Sequence, residues 1–254
     1  MNSRIEIIGL IGMPEFQLGD DLAFNLHAAI LNMGGLVKND ILVVTQKIIS
    51  KVEGRTVNLN DITPDLLSEE IASKTSKDAR LVQLILNESR EIIRVDYERG
   101  ILITETNQGF ICANAGIDSS NVPGDDNVTL LPIDSDKSAN KLLSDISDLS
   151  GESDFAVIIT DTFGRAWREG HVNFAIGSAG IALFIDYKDS IDTVGKQLKV
   201  TNIAVADEIA AASELVTGKL DNIPAVIVRG YNYDKSPSQR IDYLLRSPDN
   251  DLFR

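Results

Sequence analysis

Three acidic side chains stand apart because each arises beside an apolar element: Asp118 after Ile117, Asp161 after Val157-Ile158-Ile159-Thr160, and Glu208 inside an alanine-rich stretch. Oxygen ligands of this kind, without Cys or His, select hard cations such as magnesium or manganese, which in turn favour phosphate-bearing substrates. Thr162 adds a candidate hydroxyl ligand and Asn121 an amide. On a helix Glu208 is flanked at three and four residues by Ala204, Val205, Ala211 and Ala212. A carboxylate emerging from such an apolar patch needs a basic partner or a metal. Lys47, Lys51 and Arg55 recur at four-residue steps, so on a helix they share one face. That face is either a solvated basic surface or a segment that grips phosphate. Arg165, better placed than Arg168, and Arg229 at the end of an apolar run are candidates for holding an anionic substrate group through planar donor forks.

Other chemistries are excluded by what the chain lacks. Its only histidines are His27 and His171, too few for a histidine metal site or a triad with spare parts. His27 falls within an amphipathic helical pattern and reads as structural. The single cysteine, Cys112, lies between Ile111 and Ala113 and reads as a core thiol rather than a nucleophile. There is neither G-x-x-x-x-G-K-[ST] nor G-x-G-x-x-G, so a nucleotide would be held without a P-loop or a dinucleotide fingerprint. A net charge of −14 argues against nucleic acid, whose binding depends on Lys and Arg displacing counterions from phosphates. An acidic chain that holds an anion needs local positive charge or bound cations, which gives the few clustered basics more weight. The apolar runs are strand-length rather than membrane-spanning, and Met1 to Gly12 lacks the basic start of a signal peptide, which together point to the cytoplasm.

The elements that must position these residues are read from periodicity and punctuation. Strands are expected over Arg4–Leu10 and Ile41–Thr45, with a helix between them capped by Asp20 or Asp21 and stopped by Gly34-Gly35. Helices are expected over Pro64–Lys74 and Lys77–Ile93, then a hairpin of Gly100–Thr104 and Gly109–Cys112, and a short edge strand, or its end, at Leu130–Pro132. A helix over Ser138–Leu149 precedes the buried strand that ends at Thr160, after which Asp161 to Gly170 reads as a turn at the lip of a sheet. Val172–Ile176 and Ala179–Ile185 read as strands that bend or approach other backbone closely at Gly177 and Gly180. Asp186, Asp189 and Asp192 lack the calcium-loop pattern and read as solvated. Thr201 or Asn202 caps a helix running to Thr217, and Ile223–Arg229 is a last buried strand.

Five segments in order along nearly the whole chain carry a family resemblance: Ser50-Lys51-Val52-Glu53-Gly54-Arg55, Asn114 to Val122, Ile159-Thr160-Asp161-Thr162-Phe163-Gly164-Arg165, Phe174-Ala175-Ile176-Gly177, and Ala204 to Ala212. Together they resemble the coenzyme F420-0:L-glutamate ligase family. That resemblance implies an α+β fold of mixed and antiparallel sheets with flanking helices, in an intertwined homodimer. It implies a single domain over 1–254, which can consist of two closely packed subdomains, without the nitroreductase-like C-terminal domain of longer members. The implied activity is GTP-dependent addition of L-glutamate to coenzyme F420-0, and then to F420-1, through an acyl phosphate. The implied cofactors are two divalent cations, magnesium or manganese, together with potassium. Asp118, Asp161, Thr162 and Glu208 fall where the family holds its metals. Met13, Pro14, Glu15, Phe16, Gln46, Lys47, Lys51 and Asn121 fall where it contacts GTP, and Asp161, Lys51 and Arg165 are the implied catalytic set. Two other readings stand beside this one: a related ligase with another acid acceptor, and an idle protein that binds the coenzyme or a nucleotide. The three acids argue against the idle binder.

Overall fold

The computed structural model describes residues 4–120 and 122–253. Asn121, one of the expected nucleotide contacts, lies outside the described residues. The chain runs β1 (Glu6–Gly9), α1 (Leu22–Asn32), β2 (Ile41–Thr45), α2 (Gln46–Val52), β3 (Thr56–Asn58), α3 (Leu66–Thr75), α4 (Ala79–Asn87), β4 (Ser89–Asp96), β5 (Ile101–Thr106), β6 (Ile111–Ala113), β7 (Asn127–Thr129) and α5 (Ser135–Ser150). It continues through β8 (Ala156–Arg165), β9 (Arg168–Ala179), β10 (Ile185–Asp186), β11 (Asn202–Ile203), α6 (Val205–Thr217) and β12 (Ala225–Arg229). This is the expected α+β class with mixed and antiparallel sheets and flanking helices.

The principal sheet has the order β1-β12-β2-β8-β9, antiparallel except for the β2–β8 pair. Its central strands are runs of Ile, Val and Leu with essentially no exposure, as expected of strands covered on both faces. Both α5 and α6 pack against β9, and α1 packs on α5. β4-β5-β6 and β3-β7 form separate small sheets. With α3 and α4 they enclose two apolar clusters of their own, centred on Ile85 and Leu102 and on Leu84 and Val128.

Several local expectations are corrected. The helix expected to reach Ile93 stops at Asn87, because Ile92 and Val95 are taken up by β4 in pairing with β5 and packing on the Ile85 cluster; β-branched residues favour that pleated surface. Leu130–Pro132 follow directly on the end of a short strand, β7 at Asn127–Thr129, the second of the two expectations for them. The two strands expected over 172–176 and 179–185 are not formed: residues 172–179 are the end of one strand, β9, which begins at Arg168, and no strand follows until β10 at Ile185. Asp161 stands not in a turn but within β8, which continues to Arg165. The last long helix starts at Val205, four residues later than expected, because Asn202 and Ile203 pair with β10; neither Thr201 nor Asn202 is its cap. Gly177 does bring backbones together, against Ser135 at the start of α5.

Arg229 is corrected as well. Its guanidinium donates from Nε (2.9 Å) and Nη2 (2.7 Å) to the two carboxylate oxygens of fully buried Asp40, and to the Gly35 carbonyl at 2.8 Å. With Nε and Nη2 so occupied, the guanidinium ties β12 to the loop before β2, and its charge is matched by the Asp40 carboxylate rather than held for a substrate anion.

Candidate active site

β2 and β8 are parallel neighbours with Thr45 beside Thr160, so their carboxyl ends reach the same edge of the sheet. Such an edge is where α/β sheets expose ligand-binding groups. Immediately after β2 the chain enters α2, which presents Gln46, Lys47 and Lys51. Beyond Thr160, β8 itself carries Asp161, Thr162 and Phe163. A one-residue bulge in β9 falls between the Ile159 and Thr160 pairings, directly before Asp161; a bulge bends its strand and re-aims side chains. The result is a cavity of about 390 Å³, within the roughly 300–1,000 Å³ common for small-molecule sites.

Ten of the expected site residues line this cavity: Met13, Pro14, Glu15, Phe16, Gln46, Lys47, Lys51, Asp118, Asp161 and Thr162. The Lys47 ammonium lies 2.8 Å from the Asp118 carboxylate and also donates to Ser120. Lys51, almost wholly buried, reaches Glu15 at 3.0 Å. The third basic of that spacing does not join them. α2 ends at Val52, and Arg55 turns away to Glu88 (2.6 Å) and the Leu131 carbonyl (2.9 Å).

Two expected members are placed elsewhere. Glu208 sits exposed on the first turn of α6, near Tyr231, whereas the cavity meets the other end of that helix through Glu214 and Thr217. At 1.5 Å of rise per residue the two ends are separated by about 13 Å. The inward carboxylate of that turn is instead Asp207, which accepts from the Ala175 amide at 3.0 Å. Arg165 lies beyond the cavity wall, donating to the Gly170 carbonyl at 3.3 Å.

The structure also adds Lys219 and Asn173, which sequence reasoning passed over. Lys219 donates to the Thr162 hydroxyl at 2.6 Å, and Thr162 donates in turn to Asn173 at 2.7 Å. The available signals were a lone lysine directly after the helix stop Gly218 and a lone amide in the apolar run of β9. His171, opposite Gly164 across the hairpin, lines the cavity too.

Electrostatically the two carboxylates differ. Burial pushes Asp118 upward, but the Lys47 ammonium, the Ser120 amide and the Ser120 hydroxyl outweigh it, and its pKa falls below the ordinary aspartate value. Asp161 is pushed up to about 7, chiefly by burial and further by the negative charge of Asp118, against the opposing pull of the Thr162 amide, Lys219 and Lys47. Cys112 is buried and raised to about 12, first by burial and then by Asp161, which keeps it a thiol.

The donors fit a hard cation. Burial and Asp118 outweigh Lys219 and Lys47 at Asp161, and the Thr160 hydroxyl, 1% exposed in the cavity wall, has no hydrogen-bond partner among the described residues. Among the described residues no three His, Cys, Asp or Glu gather closely enough to hold a metal by themselves. Two carboxylates and hydroxyls completed by substrate phosphate match the usual habit of magnesium.

The F420-0:Gamma-glutamyl ligase family matches residues 10–230, a span that contains every cavity residue. The chain belongs to this family. A protein from Methanothermobacter thermautotrophicus named coenzyme F420:L-glutamate ligase is 46% identical over 254 residues, covering 98% of this chain and 99% of the relative. Proteins of the same name from Methanocaldococcus jannaschii and Methanopyrus kandleri are 39% and 40% identical, covering 99% and 93% of this chain and 97% and 92% of their own. In this member of the gamma-glutamyl ligase family no helix among the described residues is long and apolar enough to cross a membrane.

Lys219 gives this family member a direct test. Lys219→Ala removes a cation facing Asp161, so the Asp161 carboxyl should titrate at higher pH than in the parent, read by carbon NMR of the side chain. An unmoved midpoint would show that the ammonium does not act on Asp161.

Proposed function

We propose that the chain is a GTP-dependent ligase that joins L-glutamate through an amide bond to coenzyme F420-0, and then to F420-1. The observation that carries this reading is the convergence of Lys47, Lys51 and Lys219 on the same cavity as Asp118, Asp161 and Thr162. The names of the relatives support the acceptor and the amino acid. The reading includes a homodimer, as the family resemblance implies.

In this reading the acceptor carboxylate attacks the γ-phosphorus of GTP, the bond to the β-γ bridging oxygen breaks, and GDP leaves. The glutamate amine then attacks the acyl carbon, forming C–N and releasing phosphate as the amine loses its proton. The first encounter brings two anions together, so positive charge must be in place beforehand. Lys47 and Lys51 are fixed one helical turn apart on α2 and supply part of it. Lys219 orients the Thr162 hydroxyl. Two divalent cations, magnesium or manganese, would be held by Asp118, Asp161 and Thr162 and would neutralise phosphate charge when bound. The side chains of Met13 and Phe16 are buried and form an apolar part of the cavity wall.

The reading is tested by incubating the protein with F420-0, L-glutamate and either GTP or ATP, with and without magnesium, and weighing the products by mass spectrometry. The expected result is a mass gain of one glutamate residue that needs both GTP and metal. Nucleotide turnover without a mass gain points to another acceptor; no turnover in any mixture points to a binding protein.

A further inference from the structure

The cavity uses one end of the β8–β9 hairpin but not its tip. There Trp167 takes a left-handed backbone, φ 66°, which is strained for a bulky side chain. Trp167 is 85% exposed, its ring centroid lies 5.9 Å from that of Phe253, and the Arg246 guanidinium sits over the Phe253 ring at 5.7 Å. On either side of Trp167, Arg165 and Arg168 are direct partners across the hairpin. Like charges placed opposite one another weaken a sheet. Only Glu169, next in sequence, brings an acid into the turn from Arg165 to Gly170. Strain, an uncovered indole and opposed guanidiniums each lower stability. Together they form a flat aromatic face flanked by cations, which suits a planar ring attached to an anionic group.

We propose that this tip holds the planar deazaflavin ring of the acceptor, with Trp167 as the stacking surface and Arg165 and Arg168 attracting its anionic portion. This rests on the ligase reading above. The sheet order favours the acceptor over the nucleotide as occupant. The expected nucleotide contacts on α2 and at Met13–Phe16 approach Asp161 from the β2 side, while the hairpin lies on the other side, at the β9 edge. At about 3.3 Å per residue the tip stands roughly 15–20 Å from Asp161. The ring therefore lies outside the cavity while the reacting carboxylate lies inside it.

Trp167 is the chain's single tryptophan, so its fluorescence reports directly on the tip. Titration of the intact protein with F420-0, without GTP, is expected to quench that emission saturably. In steady-state assays Trp167→Ala should raise KM for F420-0 by roughly tenfold or more, with KM for GTP unchanged, and Trp167→Phe should restore most of the loss. Quenching by a deazaflavin nucleoside that lacks the acceptor carboxylate tests the tip even if no ligase product forms, so failure of the stacking surface and failure of the ligase reading are separable. The proposal is overturned by absence of quenching together with an unchanged acceptor KM in Trp167→Ala, by a shift in the GTP KM instead, or by a Trp167→Ala protein whose only change is a smaller assembly in solution.

Discussion

Asp161→Asn is expected to lower ligase turnover by about a hundred- to a thousandfold, the scale on which removal of one preorganised charge acts, while making the metal-free protein more stable at pH 8. The second half rests on the direction of its titration. In the folded protein Asp161 keeps its proton up to about pH 7, whereas an unfolded aspartate loses it near 4. Between those values the folded state binds more protons, so stability declines as pH rises from about 4 to 7 and is level above. Asn has nothing to titrate. The variant should therefore match the parent near pH 4 and exceed it at pH 8 by about 2 kcal/mol, a figure kept below the full shift because the cavity admits water. Adding magnesium should stabilise the parent and not the variant, since a ligand binding only the folded form raises its stability. Denaturant melts at pH 4.5 and 8, with and without magnesium, check all of this. A variant that melts like the parent at both pH values would show that Asp161 is not held in its protonated form.

Gly177→Ala is expected to cost about 3 kcal/mol or more and to lower Tm by about 10 °C. A Cβ there would stand 2.5 Å from both the carbonyl carbon and oxygen of Ser135 and 2.6 Å from its Cβ. Those are mostly backbone atoms at the first turn of α5, which cannot swing aside as a side chain can. The start of α5 is further pinned by Asp136, which accepts from the Ser178 amide at 2.9 Å and from the Ile241 amide at 3.0 Å. Relief would have to come from moving β9 outward, which also disturbs the bulge before Asp161. A thermal melt and an activity assay on the same preparation read both effects; an unchanged Tm would mean that the contact relaxes freely.

The sheet strands were legible because Ile41–Thr45, Val157–Thr160 and Ile223–Arg229 are apolar on successive residues, the signature of strands covered on both faces. α1 was legible from its Asp21 cap, which accepts from the Phe24 amide, and from its paired glycine stop. Errors fell where pairing across the fold overrode local pattern: Ile92 has helical spacing but a strand partner, and Asn202 is a good cap but pairs with Asp186. The cavity lining was legible where polar residues follow directly on buried apolar runs, as Lys47 does after β2 and Asp161 does within β8. Glu208 lies away from the cavity, and helical neighbours reveal an apolar patch but not which of Asp207 and Glu208 turns inward. Lys219 was hidden because only the packing of α6 brings its far end to Thr162.

The pairing of β2 carries a cost during synthesis. Both of its neighbours, β8 and β12, emerge more than a hundred residues after it. Until then the nascent chain displays Ile41-Leu42-Val43-Val44-Thr45 with two bare edges, an invitation to intermolecular β-pairing. Closure must wait for distant segments and is slow for that reason. Ribosome-bound fragments that end before Ala156 should accordingly depend on chaperone shelter, and released fragments of that length should aggregate.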